Sequence, residues 1–563
     1  MKRGVSSRER LTYVFFLALF LLLAFRISYL QVWQRPFYRS LSRNQHYRIV
    51  RLIGKRGEIL DRRKQILATT LKCYSVFADP VLVRSASATA ARLAPALGMD
   101  AEALGRKLTR QGRFVWLKRM VPLEVKQQID RMSLNGIGAI REEKRFYPQQ
   151  TLAAQVMGLT DIDNRGLEGL ELFHDAVLRG KDGYTRILQD SLAREIIVNP
   201  QLLQPQPGAD VVLTIDSQLQ YWSERFLQES IEKYSARRGA VIVMNADNGE
   251  ILVMANYPFF NPNVRDPESF GHLKNRTVTD IFEPGSVFKM VTLVAALEEK
   301  VCALEETFYC EQGQYRIPGT ILHDWRPYGK LTFVEVFKKS SNIGVGKIAQ
   351  KIGPATLHSY MRRLGFGHKT GIDYPGEVSG SLKSVGKWSK TSEYIIPIGQ
   401  EVGVTLIQLV RAFGVVANGG YLVKPHLTRR VEGEFFRKVG RYSKERVVSQ
   451  ETAARARDIL IGVVEEGTGR RAAVKGLRAG GKTGTAQKFD RELGAYSPHD
   501  YRATFVGFLA QDPPLVIGVT VDEPRKSHFG GVVAAPVFRQ IAEKAARYSL
   551  DDRIGRVYGG EGQ

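Results

Sequence analysis

From Leu11 to Phe25 the chain is uncharged and mostly apolar, and with Arg26 tolerated the run extends through Ile27 to Val32. A helix that spans a bilayer needs about 20 such residues. The segment therefore predicts a transmembrane anchor over residues 11–32 behind a short cytoplasmic tail at 1–10. Arg26 lies near one end, where its long stem reaches the interface or a partner helix. A cleaved signal peptide would need a small-x-small site, but the chain continues Gln31-Val32-Trp33-Gln34-Arg35-Pro36. Lys2, Arg3, Arg8 and Arg10 favour a cytoplasmic N-terminus, although Arg35, Arg39 and Arg43 follow on the other side. No later stretch is long and apolar enough to cross again, so the bulk is expected on the extracytoplasmic side.

Charge narrows the neighbours. Lys plus Arg number 82 against 57 Asp plus Glu, a net +25, which suits a polyanionic surface. Behind a single-pass anchor that means membrane lipid or an acidic envelope polymer, and no nucleic acid. Arg35, Arg39, Arg43, Arg48 and Arg51 are expected to face lipid headgroups. The 563 residues, 44% hydrophobic and 25% charged, exclude a disordered tail, a collagen-like fibre and a small disulfide scaffold. Cys73, Cys302 and Cys310 have no CxxC spacing and the histidines include no HExxH, so no metal site is expected. Cys302 and Cys310 are more often free than paired at such close spacing in a loop; a disulfide is the alternative.

Two folded parts are expected after the anchor. Residues 45–210 mix short strands with helices: Arg56-Gly57-Glu58-Ile59-Leu60-Asp61-Arg62 opens a turn and strand, and Ala86 to Leu97 is helical. Gln204-Pro205-Gln206-Pro207-Gly208 reads as a linker. Then come a strand at Asp210–Ile215, an amphipathic helix at Ser217–Tyr234, and a hairpin turning at Asp247-Asn248-Gly249. A helix follows Pro284-Gly285, from Ser286 to Glu299. Phe505–Leu509 and Val516–Val521 read as neighbouring strands. Helices between an early hairpin and late strands predict an α+β domain over 211–545, with a C-terminal tail at 546–563.

Three short motifs carry chemistry. Ser286-Val287-Phe288-Lys289 places a hydroxyl and an ammonium on one helical face, at a helix start where N–H groups stabilise an oxyanion. That suits a serine nucleophile with a lysine base. Ser340-Ser341-Asn342 offers a hydroxyl and an amide, and Lys482-Thr483-Gly484-Thr485 offers a cation and two hydroxyls on an extended segment. Each motif has decoys: Ser230-x-x-Lys233 and Ser384-x-x-Lys387, Ser42-x-Asn44 and Ser133-x-Asn135, and Lys369-Thr370-Gly371. Order and context separate them. Ser286 alone follows Pro-Gly and opens a strongly apolar helix, Ser340 lies between two helical runs, and Lys482 sits among glycines.

In that order the motifs resemble those of class B penicillin-binding proteins, and the FtsI-like septal transpeptidases match best. The likeness includes Arg56–Arg62, Arg145-Phe146-Tyr147-Pro148, Gly166-Leu167-Glu168-Gly169-Leu170-Glu171 and Asn275 to Ser286. Arg63-Lys64 stands where the family usually has Asn-Gly, and Leu406-Ile407 replaces a frequent Pro-Leu. The resemblance implies a pedestal followed by a penicillin-binding, serine β-lactamase-like domain that cross-links peptidoglycan stem peptides through an acyl-enzyme. It implies catalytic roles for Ser286, Lys289, Ser340, Asn342 and Lys482, substrate binding by Thr483, Gly484 and Thr485, acylation by β-lactams, and no cofactor. It also implies an FtsW-like glycan polymerase and other division proteins as partners, at the septum. Gly166–Glu171 is expected as a structured turn near the junction of the two parts, with Glu168 and Glu171 one helical turn apart.

Other readings remain to be set against this one. Gly476 to Thr483 is a literal Walker A string, but a P-loop needs a helix directly after its Lys-Thr and none is predicted. A D,D-carboxypeptidase or β-lactamase would pass the acyl group to water, an elongation-type transpeptidase would do the same chemistry elsewhere in the wall, and a scaffold or β-lactam sensor would not need the intact triple.

Overall fold

A computed structural model describes residues 7–38, 47–189, 195–196, 203–264, 266–433, 436–439, 443–490 and 494–558. Lys2, Arg3, Arg39, Arg43 and the last residues of the expected tail lie outside them. The chain divides into two compact units, Met1–Lys55 with Gly180–Pro207, and Arg56–Arg179 with Gly208–Gln563.

In the first unit an α-helix runs from Ser7 to Ser28 and passes into a π-turn at Tyr29–Trp33. This 27-residue segment contains an 18-residue stretch with a mean hydropathy of 2.2, none of it buried, the length and composition of a bilayer-spanning helix. Tyr47–Leu52 pairs antiparallel with Gly183–Gln189, which pairs in turn with Glu195–Ile196. The stretch read as a linker is tied down here. Lys181 N–H donates to Gln206 O at 2.8 Å and Gln206 N–H to Lys181 O at 2.9 Å, a pairing that a local composition argument cannot foresee.

The second unit contains the two largest sheets among the described residues. In one, the strand order is Phe436–Val439, Thr428–Gly433, Asp210–Leu213, Ile59–Leu60, Ile66–Ala78 and Val115–Val121, with Ile137–Phe146 also paired to Ile66–Ala78. One sheet thus joins strands from both expected parts. At its first turn Asp61 Oδ1 accepts from the N–H groups of Arg63 and Gln65, both at 2.8 Å. Lys64 there adopts φ 64°, the left-handed conformation that a glycine takes freely. The turn survives the substitution, at a local conformational cost. Ala86–Leu97 is a helix as predicted, capped by Ser85 and stopped by Gly98 at φ 55°.

The other sheet is antiparallel, in the order Ile251–Tyr257, Arg238–Asn245, Leu515–Asp522, Ala495–Leu509 and Ala479–Asp490. Alternation along Arg238–Asn245 explains how both faces are covered. Val241 and Val243 pack with Leu227 and Ile541 of the helices Ser217–Tyr234 and Ala535–Tyr558. Ile242 and Met244 pack into the main core with the helices Lys289–Glu298 and Leu406–Ala417. Thr405 and Gln408 form a capping box, so Leu406 takes the first helical position without the frequent proline. The last helix runs on to Tyr558, past the expected end at 545.

Candidate active site

Ser286 sits in a single 3-10 turn, Gly285–Phe288, and the α-helix begins only at Lys289. The sequence reading had one helix from Ser286. The tighter turn brings residues three apart to one side, and Lys289 N–H donates back to Ser286 O. The turn is anchored where Gly285, at φ 53°, donates its N–H to Gly399 O at 3.1 Å. Lys289–Glu298 is buried on nearly every side, which fixes its first residue deep in the domain.

The second motif meets the first at that lysine. Lys289 Nζ donates to Ser340 O at 2.7 Å, Asn342 Oδ1 at 2.6 Å and Ser340 Oγ at 3.3 Å. Ser340 holds φ 58°, a strained conformation for a residue with a Cβ. Ser341 caps the helix Asn342–Ile352, accepting from Gly344 N–H at 2.9 Å. From the third motif, Lys482 Nζ donates to Ser340 Oγ at 2.8 Å. Ser340 Oγ therefore bridges two buried amines, on side chains that expose 0% and 1% of their surface.

Both amines are shifted in the same direction. Burial brings Lys289 down to about 7, opposed by the negative charge of Asp324. Burial pushes Lys482 well below its ordinary value, and the charge on Lys289 adds to it. Two ammonium groups sharing one hydroxyl cannot both stay charged in a desolvated site, so protons are lost from the pair as a unit.

Lys482, Thr483, Gly484 and Thr485 lie within the edge strand Ala479–Asp490. Gly484 lets that strand lie against the serine turn, because a Cβ there would stand 2.7 Å from Pro284 O and 2.8 Å from Val287 Cγ2. Thr485 Oγ1 accepts from Gly530 N–H at 3.1 Å, and Thr483 Oγ1 donates to Thr468 Oγ1 at 3.3 Å. Both hydroxyls thus have partners within the fold. The strand continues straight through Lys482 and Thr483, with no helix after them, which overturns the P-loop alternative.

The decoys have other occupations. Ser230 Oγ donates to Val533 O at 3.1 Å inside the fold, Ser384 precedes a 3-10 turn, and Thr370 is held by Glu377. Ser42 and Asn44 lie outside the described residues. Cys302 and Cys310 are free thiols, with Cys310 fully buried beside Ser341. Sequence reasoning missed Asp324, which holds the second motif. It also missed Glu283, whose carboxylate takes the Tyr496 hydroxyl at 2.9 Å and Glu401 N–H at 2.8 Å. Asp324 belongs to no spaced motif; Glu283 lies within the Asn275–Ser286 segment, but only proximity in the fold shows what its carboxylate holds.

Comparison with known proteins agrees with this arrangement. Residues 239–543 match the family model of the penicillin binding protein transpeptidase domain, and residues 52–213 that of the penicillin-binding protein dimerisation domain. The chain is 34% identical to stage V sporulation protein D of Bacillus subtilis, covering 96% of this chain and 85% of that protein. It is 31% identical to the probable peptidoglycan D,D-transpeptidase PenA of Neisseria gonorrhoeae, over 96% and 93% of the two chains. Penicillin binding protein 3 of Mycobacterium tuberculosis, solved with aztreonam, superposes with a TM-score of 0.70 at 29% identity, over 89% of this chain and 97% of that one. A dimerisation domain ahead of a transpeptidase domain, in a chain aligned with such relatives over nearly its whole length, makes this protein a member of the class B penicillin-binding proteins.

Proposed function

We propose that the protein is a membrane-anchored serine D,D-transpeptidase of septal wall synthesis, and that the seven residues gathered around Ser340 and the edge strand divide the work with Ser286. In this reading residues 45–210 form the pedestal and 211–545 the catalytic domain. The observation that carries it is the hydroxyl of Ser340 bridging the two buried amines of Lys289 and Lys482.

A stem pentapeptide lies along the edge strand, its terminal carboxylate against Lys482, Thr483 and Thr485. That carboxylate favours the charged form of Lys482, and the shared proton deficit of the pair then falls on Lys289. Neutral Lys289 takes the Ser286 proton, and Oγ bonds to the penultimate D-Ala carbonyl carbon. The N–H groups of Ser286 and Thr485 receive the developing oxyanion, with Gly484 allowing the close approach. Collapse breaks the bond to the terminal D-Ala, whose nitrogen takes its proton back through Ser340, and leaves an acyl-enzyme. The amine of a neighbouring stem attacks this ester and gives its proton to Lys289, which passes it to Ser286 Oγ as the ester bond breaks, with a cross-link formed. A β-lactam enters the same path and stays on Ser286.

The extracytoplasmic placement is supported by the helix at Ser7–Trp33 and the charges at Arg8 and Arg10. An FtsW-like polymerase beside that helix is what the family resemblance implies, and duty at the septum rests on the likeness of Asn275 to Ser286 to the FtsI segment. The test is intact-mass analysis and peptide mapping after penicillin treatment. One adduct is expected on the Ser286 peptide, absent in Ser286→Ala; an adduct that survives in Ser286→Ala rejects the assignment.

A further inference from the structure

The Ser340-Ser341-Asn342 segment is held by an acid that no motif announces. Asp324 follows the strand Thr320–His323 and donates its own N–H to Gly313 O at 3.0 Å. One carboxylate oxygen accepts from the N–H groups of Asn342 and Ile343, the latter at 3.1 Å. The other accepts the Ser341 hydroxyl at 2.6 Å. The helix Asn342–Ile352 is therefore capped from outside by an anion, at the end where its dipole favours negative charge. The neighbouring His323 O accepts from Asn342 Nδ2 at 2.7 Å, which turns Asn342 Oδ1 toward Lys289. One two-residue segment thus sets both the backbone and the amide of Asn342.

The same charge reaches the lysine. Asp324 is the acid that opposes the effect of burial on Lys289. The other titratable groups around Asp324 are Cys310 and Tyr328, both pushed up by burial first and by Asp324 after it, with Lys347 and Arg326 acting in the opposite direction on them. Lys482 is the other charged group facing Lys289.

We propose that Asp324 is a positioning residue for acylation: it orients Asn342 against the Lys289 amine, and its negative charge keeps that amine basic enough to accept the serine proton. The inference rests on the reading of Lys289 as the base. An amine neutralised by burial alone would be neutral over a wider pH range but a poorer proton acceptor. A counter-charge near it, spent on capping a helix, restores basicity without forming an ion pair that would block the lone pair.

The test is the pH dependence of the second-order rate of acylation by a fluorescent penicillin. Asp324→Asn removes the charge but keeps an oxygen for the two N–H groups and an amide for the Ser341 hydroxyl. The acid limb of the profile should move toward lower pH by about half a unit or more, and the alkaline plateau should fall at least about threefold. Thermal melting checks the fold, and Asp324→Ser, which keeps a short cap without charge, should move the limb the same way. A lower plateau with the limb unmoved would reduce Asp324 to a helix cap and overturn the inference while the base assignment stands. Unfolding of both variants overturns it too, assigning the acid to the fold. Wild-type acylation in Lys289→Ala would reject the base assignment itself, and this inference with it.

Discussion

Lys482 stands where a cation is hardest to keep, 1% exposed and one shared hydroxyl away from Lys289. In the proposed mechanism its charge is useful only when an anion arrives, so its size and its ability to lose a proton both matter. An arginine would satisfy neither requirement. It stays protonated at any working pH, is planar, and reaches further than an ammonium. Lys482→Arg is expected to lower the acylation rate at least about tenfold, because a permanent cation beside Lys289 destabilises the second charge in the encounter and the guanidinium crowds Ser340. Stopped-flow acylation by a penicillin measures it; a rate within twofold of wild type would mean that shape and proton loss at this position are unimportant. At this scale the motif residues were legible because their order along the chain is distinctive. Asp324 was not, because a capping acid separated from its helix by the strand Lys330–Thr332 and the helix Phe333–Lys338 has no spacing to recognise.

Elements show a similar division. The hairpin at Asp247-Asn248-Gly249 could be read from the turn residues alone, and Gly249 adopts φ 83° there. The 3-10 turn at Ser286 could not, since the apolar pattern of Lys289–Glu298 continues smoothly back through Val287 and Phe288. A third case is the amphipathic helix Ser217–Tyr234, whose existence was predicted but whose buried carboxylate was not. Glu224 Oε1 accepts from Ala153 N–H at 2.9 Å and from Gln220 Nε2 at 2.8 Å, which docks the helix against the Gln149–Ala154 segment. Burial pushes this carboxyl up to about 7, against the two hydrogen bonds. An acid whose value is raised in the folded state favours folding while protonated. Its contribution is present below about 4.5 and is lost as pH rises through about 7. Glu224→Gln keeps the accepting oxygen and removes the titration. It is expected to stabilise the protein at pH 8 by on the order of 2 kcal/mol and to change little at pH 4.5. Urea unfolding at the two pH values tests this, and equal effects at both would place the docking energy elsewhere.

For the whole molecule, the question is how one sheet can serve both a pedestal and a catalytic domain. Thr428–Gly433, far along the chain, pairs with Asp210–Leu213, which pairs in parallel with Ile59–Leu60. Register over such distances is set by tertiary packing and leaves no local trace in the sequence. The segment Gly166–Glu171 sits beside this junction and holds two acids with opposite fates. Glu171 is 0% exposed and is clamped by Arg56 Nε at 2.7 Å and Arg145 Nε at 2.6 Å, with the Tyr147 hydroxyl at 3.4 Å. Glu168 ends the strand Gly166–Glu168 and is exposed. The two were expected one helical turn apart, but the helix begins only at Gly169, so Glu168 escapes the cluster. Glu171→Ala would leave the buried Arg145 without a carboxylate and Arg56 with Asp175 alone, a loss of about 3–5 kcal/mol, and acylation should fall in parallel with folded protein. Glu168→Lys should leave both melting temperature and penicillin acylation of the solubilised protein as in wild type. If the pedestal acts by position, the same charge reversal should fail to support wall cross-linking in cells, because it alters a surface offered to partners and not the serine site. Complementation of a depleted strain, run beside labelling with fluorescent penicillin, separates these effects. Full complementation by Glu168→Lys would remove this surface from the pedestal's working face. Loss of acylation along with cross-linking at normal protein levels would instead make Glu168 a support of the catalytic fold.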